Sequence, residues 1–129
     1  MTNEELVARA DAARRYAYAP YSHFTVGAAL LCEDGTVYTG CNIEGASFGN
    51  TICAERTALC KAVSEGARRF RTLAVIGDSD GPCAPCGICR QMLWEFAPEL
   101  TVLCADRTGR YEETTLRELL PRAFSGSDL

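Results

Sequence analysis

Residues 73–77 read Leu-Ala-Val-Ile-Gly, a continuously apolar run with no side chain suited to water on either face of a strand. Such a strand belongs inside a sheet that is covered on both sides. The rest of the chain must therefore supply elements for two layers around that sheet. Residues 53–66 read as a helix closed by Gly66, and residues 86–97 as a helix stopped by Pro98. Upstream, 24–32 and 36–42 are β-rich runs joined across Glu-Asp-Gly, whose Asp-Gly is a hairpin signal. Downstream, a strand at 100–105, the turn 106–110, a short strand from Tyr111 and a helical turn at 116–120 complete the chain. At the start, Thr2 to Glu5 fits a capping box, and Leu6, Ala10, Ala13 and Ala17 keep one helical face apolar until Pro20. The expected fold class is α/β: three layers, with a mixed five-stranded sheet, right-handed crossovers and helices on both faces.

No repeat, low-complexity segment or linker divides residues 1–129, so the chain is expected to form one domain. A domain of this size buries roughly two thirds of the surface its unfolded chain exposes, and needs no covalent staples. The eight cysteines could still mark a secreted disulfide framework. The first fifteen residues argue otherwise, being polar and acidic with no basic region, apolar run or small-residue cleavage site. A cytoplasmic location with reduced thiols is expected. The formal net charge of -4, with no basic stripe interleaved with aromatics, speaks against nucleic acid as a partner. No apolar run is long enough to span a bilayer.

Chemistry emerges when helical spacing is laid over the polar residues. On the helix from residue 53, Glu55 shares a face with Ala58, Leu59 and Ala62, which points a carboxylate toward the core. A buried, unpaired carboxylate costs several kcal/mol in order of magnitude, so its placement calls for a use. On the next helix Cys86 and Cys89 fall together with Leu93 and Phe96. Both helices follow strands, and helix N-termini favour thiolates. Three thiolates from two helix starts, Cys53, Cys86 and Cys89, suit a tetrahedral zinc with one open position, as catalytic sites have. Glu55 would then stand beside the metal without binding it. The stretch Pro-Cys-Ala-Pro-Cys-Gly-Ile-Cys-Arg-Gln, residues 82–91, also permits the pair Cys83 and Cys86. Cys83 precedes Pro85 in the loop, however, and is expected to be a spectator. Taken alone, a Cys-x-x-Cys is equally at home in a redox protein or as half of a structural zinc site. Cys32, Cys41, Cys60 and Cys104 read as core packing, His23 as a loop hydrogen-bonding group, and Arg68, Arg69 and Arg71 as a solvated face.

Five stretches together resemble the small, homotetrameric, zinc-dependent cytidine deaminases: 21–31, 40–44, 53–59, 85–91 and 119–124. The resemblance covers nearly the whole chain and implies the cytidine deaminase-like fold. It implies one zinc per chain on Cys53, Cys86 and Cys89, with water or hydroxide as the fourth ligand, and Glu55 as the proton carrier in hydrolysis of cytidine and deoxycytidine. Cys53 stands where the wider class also uses His. By the same resemblance Asn42 and Glu44 hold the sugar hydroxyls, Phe24 packs against the nucleoside, and the backbone at Ala54 meets the ring carbonyl. Arg56 hydrogen-bonds cysteine sulfur and so offsets its charge, with Arg90 a weaker alternative. The resemblance further implies that Phe124 reaches a neighbour's pocket in a homotetramer with shared active sites. The family loop after residue 44 continues with Asn and later Tyr, where this chain has Gly45 and Phe48. A deaminase of another aminopyrimidine nucleoside and a thiol redox protein remain alternative readings.

Overall fold

In the computed structural model, which describes residues 1–129, the apolar run at 73–77 lies within a strand at the centre of a five-stranded sheet. In chain order the elements are α1 (Asn3–Arg14), β1 (Val26–Cys32), β2 (Val37–Cys41), α2 (Ala54–Ser64), β3 (Phe70–Gly77), α3 (Gly87–Phe96), β4 (Thr101–Ala105), β5 (Tyr111–Thr115) and α4 (Leu116–Leu119). Short 3₁₀ turns occupy 48–50 and 126–128. The strand order is β2-β1-β3-β4-β5; β3 and β4 run parallel, and every other neighbouring pair is antiparallel.

Strand alternation divides the core into two layers. On one face α1 lays Leu6, Val7 and Ala10 over Ala29, Ala74, Ile76 and Leu103. On the other, α2 and α3 cover Ala28, Leu30, Leu73 and Val102 with Ala58, Leu59, Ala62 and Leu93. Leu73, Ala74, Val75 and Ile76 are all fully buried, which is why none of them is polar. This is the mixed, doubly covered sheet that the sequence leads one to expect. The hairpin also forms as read, with the Asp34 side chain accepting from the Thr36 amide (2.9 Å) inside the turn.

α2 is held against the hairpin by two contacts that also close the free edge of β2. Thr57 donates its hydroxyl to the Cys41 carbonyl (3.1 Å), and the Lys61 ammonium donates to the Thr39 carbonyl. The helix passes so close that a Cβ at Gly40 would lie 2.6 Å from the Ala58 nitrogen. Only glycine permits that approach, and the approach sets where the first turn of α2 points.

α1 departs from expectation at its C-terminus. Thr2 forms the capping box with Glu5, but the helix stops at Arg14 rather than running to Pro20. Tyr18 explains the early stop. Its amide donates to the Asn42 carbonyl (2.9 Å) and its carbonyl accepts from the Glu44 amide (2.9 Å), so the chain is already extended there. Ala17 thus lies outside the helical face assigned to it. His23 has a φ of 58° and donates its amide to the Ala19 carbonyl (2.9 Å), while its side chain makes no hydrogen bond. No helix is long and apolar enough to cross a membrane.

Candidate active site

The first turns of α2 and α3 meet beside the end of the central strand, and both helices are capped in an unusual way. Cys53 is the N-cap of α2 and Cys86 the N-cap of α3, each extended at the backbone, and neither side chain bonds the helix it caps. Thr2 and Thr115, at the N-caps of α1 and α4, both accept a backbone amide in the ordinary manner. The two sulfurs are thus left free to face each other, and Cys89, buried in the first turn of α3, adds a third. Cys53 Sγ lies 3.6 Å from Cys86 Sγ, and Cys86 Sγ lies 3.4 Å from Cys89 Sγ. All three are within 4.8 Å of one another. Sulfurs bound tetrahedrally to zinc at about 2.3 Å are separated by roughly 3.8 Å, so the cluster fits the ion and leaves one position open. Cys83 is not part of it.

The electrostatics agree with a thiolate site. The hydrogen bond from Cys89 lowers Cys53 to about 5, with further help from Arg56 and Cys86 against the cost of burial. That same bond pushes the Cys89 thiol up. A divalent cation at the cluster would favour the thiolate form of its cysteines. Arg56, in the first turn of α2, donates through Nη2 to Cys53 Sγ (3.6 Å) and to the Thr51 carbonyl (3.3 Å). Its Nε is buried without a partner, so the guanidinium stays close to the sulfur with hydrogen-bonding capacity to spare. Arg90 is used otherwise. It donates to the carbonyls of Pro85 and Leu119 (both 2.7 Å), tying the loop before α3 to the end of α4, and reaches no sulfur.

Glu55 occupies the second position of α2 and is only 4% exposed. Burial raises its carboxyl to about 7 against the opposing pull of its own backbone amide. That value suits a group that must both accept and give protons near neutrality. The carboxylate lines a cavity of ≈ 190 Å³ together with Phe24, Asn42, Cys53, Cys83 and Cys86. Ala54 also lines it and, as the first residue of α2, has an amide with no acceptor inside the helix. Larger hollows, such as one of ≈ 740 Å³ beside Glu112 and Glu113, lack this combination of groups.

The other residues singled out in the sequence occupy two further positions. Asn42 is buried; its Oδ1 accepts from the Val26 amide (2.9 Å) and its Nδ2 donates to the Phe24 carbonyl (2.8 Å). Glu44 faces an adjoining hollow of ≈ 400 Å³ and accepts the amides of Tyr21 (3.0 Å) and Ser22 (3.1 Å) as well as the Ser22 hydroxyl. These bonds, led by the Ser22 hydroxyl, hold its carboxyl below the usual range. Both residues therefore brace the loop that carries Phe24. Phe48 is 76% exposed and meets Tyr21 edge-on at 6.0 Å, while the Asn50 side chain occupies the space a side chain at Gly45 would need. Phe124 is exposed in the C-terminal tail, its carbonyl held by Gln91 Nε2 (2.8 Å), and does not line its own chain's cavity.

Cys83 was expected to be a spectator, yet it forms part of the cavity wall. Burial pushes its thiol up to about 12, so it presents a neutral surface. Thr51 and Ala84 are further lining residues without a signal in the sequence. All three sit in irregular loops, where spacing carries no information about facing.

Known proteins resemble this chain in sequence and fold. Residues 1–105 match the family model for the cytidine and deoxycytidylate deaminase zinc-binding region. A cytidine deaminase of Sporosarcina psychrophila is 54% identical over 130 residues, covering 100% of this chain and 96% of that protein. One from Halalkalibacterium halodurans is 50% identical over 130 residues, covering 100% of this chain and 98% of its own. The crystal structure of a cytidine deaminase from Burkholderia pseudomallei matches with a TM-score of 0.93 at 50% identity, over 96% of this chain and 100% of that one.

Metal analysis of single variants checks the ligand set. The parent and Cys83→Ser should each carry about one zinc per chain, whereas Cys53→Ser, Cys86→Ser and Cys89→Ser should each lose most of it. Full zinc in Cys89→Ser together with none in Cys83→Ser would move the site to the Cys83 and Cys86 pair, and full zinc in Cys86→Ser would exclude both pairs.

Proposed function

The chain belongs to the cytidine and deoxycytidylate deaminase family, and from that premise we propose that it hydrolyses cytidine and deoxycytidine to uridine and deoxyuridine with release of ammonia. The observation that carries this reading is the buried Glu55 carboxylate lining the same small cavity as Cys53 and Cys86, two of the three clustered cysteines. Cys53, Cys86 and Cys89 would hold a zinc ion, which when bound would supply the Lewis-acid chemistry that makes water a nucleophile near neutral pH. Glu55 takes the proton that water gives up and delivers one to ring nitrogen 3, so that carbon 4 becomes electrophilic. Once the water oxygen has bonded to carbon 4, Glu55 carries that oxygen's remaining proton to the amino group, and the carbon–nitrogen bond breaks to release ammonia and leave the carbonyl. Arg56 offsets negative charge on the sulfurs, which would otherwise blunt the metal.

Binding falls to the residues around the cavity. The Ala54 amide, unpaired within its helix, is placed to meet the ring carbonyl, and Phe24 packs against the base. Asn42 and Glu44 keep capacity for sugar hydroxyls despite their structural bonds. One N–H of the Asn42 amide is unused, and the Glu44 carboxylate, with about four acceptor positions, accepts three bonds. A nucleoside substrate and a pyrimidine salvage role follow from this chemistry, with residues 1–129 acting as one catalytic domain. Eight unpaired cysteines fit a reducing cytoplasm.

Phe124 supports a homotetramer with shared active sites. An aromatic that is 56% exposed and outside its own cavity is available to a neighbour's. Stacking on a base in that neighbour's pocket would complete each site from more than one chain.

Two measurements test these roles separately. Glu55→Gln should keep its zinc and fold while kcat falls by at least ~10²- to 10⁴-fold; loss of zinc would make Glu55 a ligand instead. For the shared site, Phe124→Ala and Glu55→Ala should each be nearly inactive yet regain cytidine turnover when co-refolded, with hybrids identified by a tag on one subunit. Tagged hybrids that recover nothing would show that Phe124 does not complete a neighbour's site.

A further inference from the structure

Gly77 closes the central strand directly behind the cavity, and the space it leaves is filled from two sides. A Cβ built on it would lie 2.8 Å from Phe24 Cζ, 2.9 Å from Cys83 Sγ and 3.2 Å from Cys83 Cβ. Its φ lies outside the left-handed region, so the backbone accepts any residue and the demand for glycine is purely one of space. We propose that Gly77 is a positioning residue for the nucleoside pocket: the absent side chain lets the Phe24 ring and the Cys83 thiol share one wall, and a methyl group there would drive the ring into the space the base occupies. The inference rests on the reading of this cavity as the cytidine site.

The direction of the shift follows from what is anchored. Gly77 pairs with Val26 across β1 and β3, and the next amide, Asp78, donates to the Thr25 carbonyl (3.1 Å). Cys83 is fixed by its amide on the Ala105 carbonyl at the end of β4 (3.0 Å). Phe24 is fixed at its amide by the Ser22 hydroxyl (3.0 Å) and at its carbonyl by Asn42 Nδ2 (2.8 Å). None of the three backbones can retreat without breaking a hydrogen bond. What remains free is the Phe24 ring, which is 37% exposed and lines the cavity. Because the atoms met at the two nearest distances are side-chain tips, the fold can absorb the methyl group and the pocket takes the change.

The same packing gives Cys83 a function outside metal binding. Its thiol borders the same space beside Gly77 as the tip of the Phe24 ring, so enlarging residue 83 should press on that ring. Neither residue supplies one of the three clustered sulfurs, so zinc content separates this effect from damage to the metal site.

The test is steady-state deamination of cytidine by the zinc-replete protein. Gly77→Ala should raise KM by about tenfold while kcat stays within about threefold of the parent and zinc content is unchanged. Cys83→Leu should show the same split, and it decides the matter if Gly77→Ala does not fold. A folded, zinc-replete variant of either kind with unchanged KM, or with kcat lost at constant KM, overturns the proposal. A parent protein that does not deaminate cytidine would overturn the reading of the cavity and this inference with it. An active parent with unaltered variants overturns this inference alone.

Discussion

Two helices begin on a cysteine whose sulfur does not cap them, and the site depends on that omission. An N-cap that leaves its helix amides unbonded costs about 1 kcal/mol relative to Ser, Thr, Asp or Asn. Here the omission occurs twice, at Cys53 and Cys86, in a chain whose other two α-helices are capped by threonine. The sulfurs turn toward each other instead, at 3.6 Å, with Cys89 joining from within the turn. Three thiolates cannot share that volume without a cation. The cluster makes structural sense when a metal takes up the charge, and metal binding then contributes to folding what the missing caps do not.

That arrangement dictates the surrounding groups. Because α2 starts at the sulfur cluster, its second residue is carried to the cavity wall, and burial there raises the Glu55 carboxyl to about 7. Because the cluster is anionic, the same turn supplies Arg56 against Cys53. The position of that turn relative to the sheet depends on Gly40, Thr57 and Lys61, which draw α2 onto the edge of β2. The site and the packing are thus coupled through one helical turn, and a shift of α2 along the hairpin would move Glu55 away from the three-sulfur cluster.

Much of this could be read from the sequence because it rests on short-range periodicity. The apolar run at 73–77 specified a strand buried on both faces, and the i, i+3, i+4 spacing specified that Glu55 faces inward with Ala58, Leu59 and Ala62. The three metal-site sulfurs were legible because helix starts place them. The end of α1 was not, since it is decided by pairing of Tyr18 with residues 42 and 44, distant in sequence. Nor was the structural work of Asn42 and Glu44, whose bonds to 21, 22, 24 and 26 form only after the hairpin closes. Cys83 looked idle because a loop residue has no period; its place beside Gly77, next to the tip of Phe24, arises where three separate segments converge.

The central claim is that this cluster holds the metal on which turnover depends. It is tested most directly by removing zinc with a chelator, following ammonia release from cytidine as the metal content falls, and then restoring the metal. The account predicts that activity declines in proportion to zinc and returns as the ion is added back. Undiminished turnover by protein shown to be free of metal would contradict it.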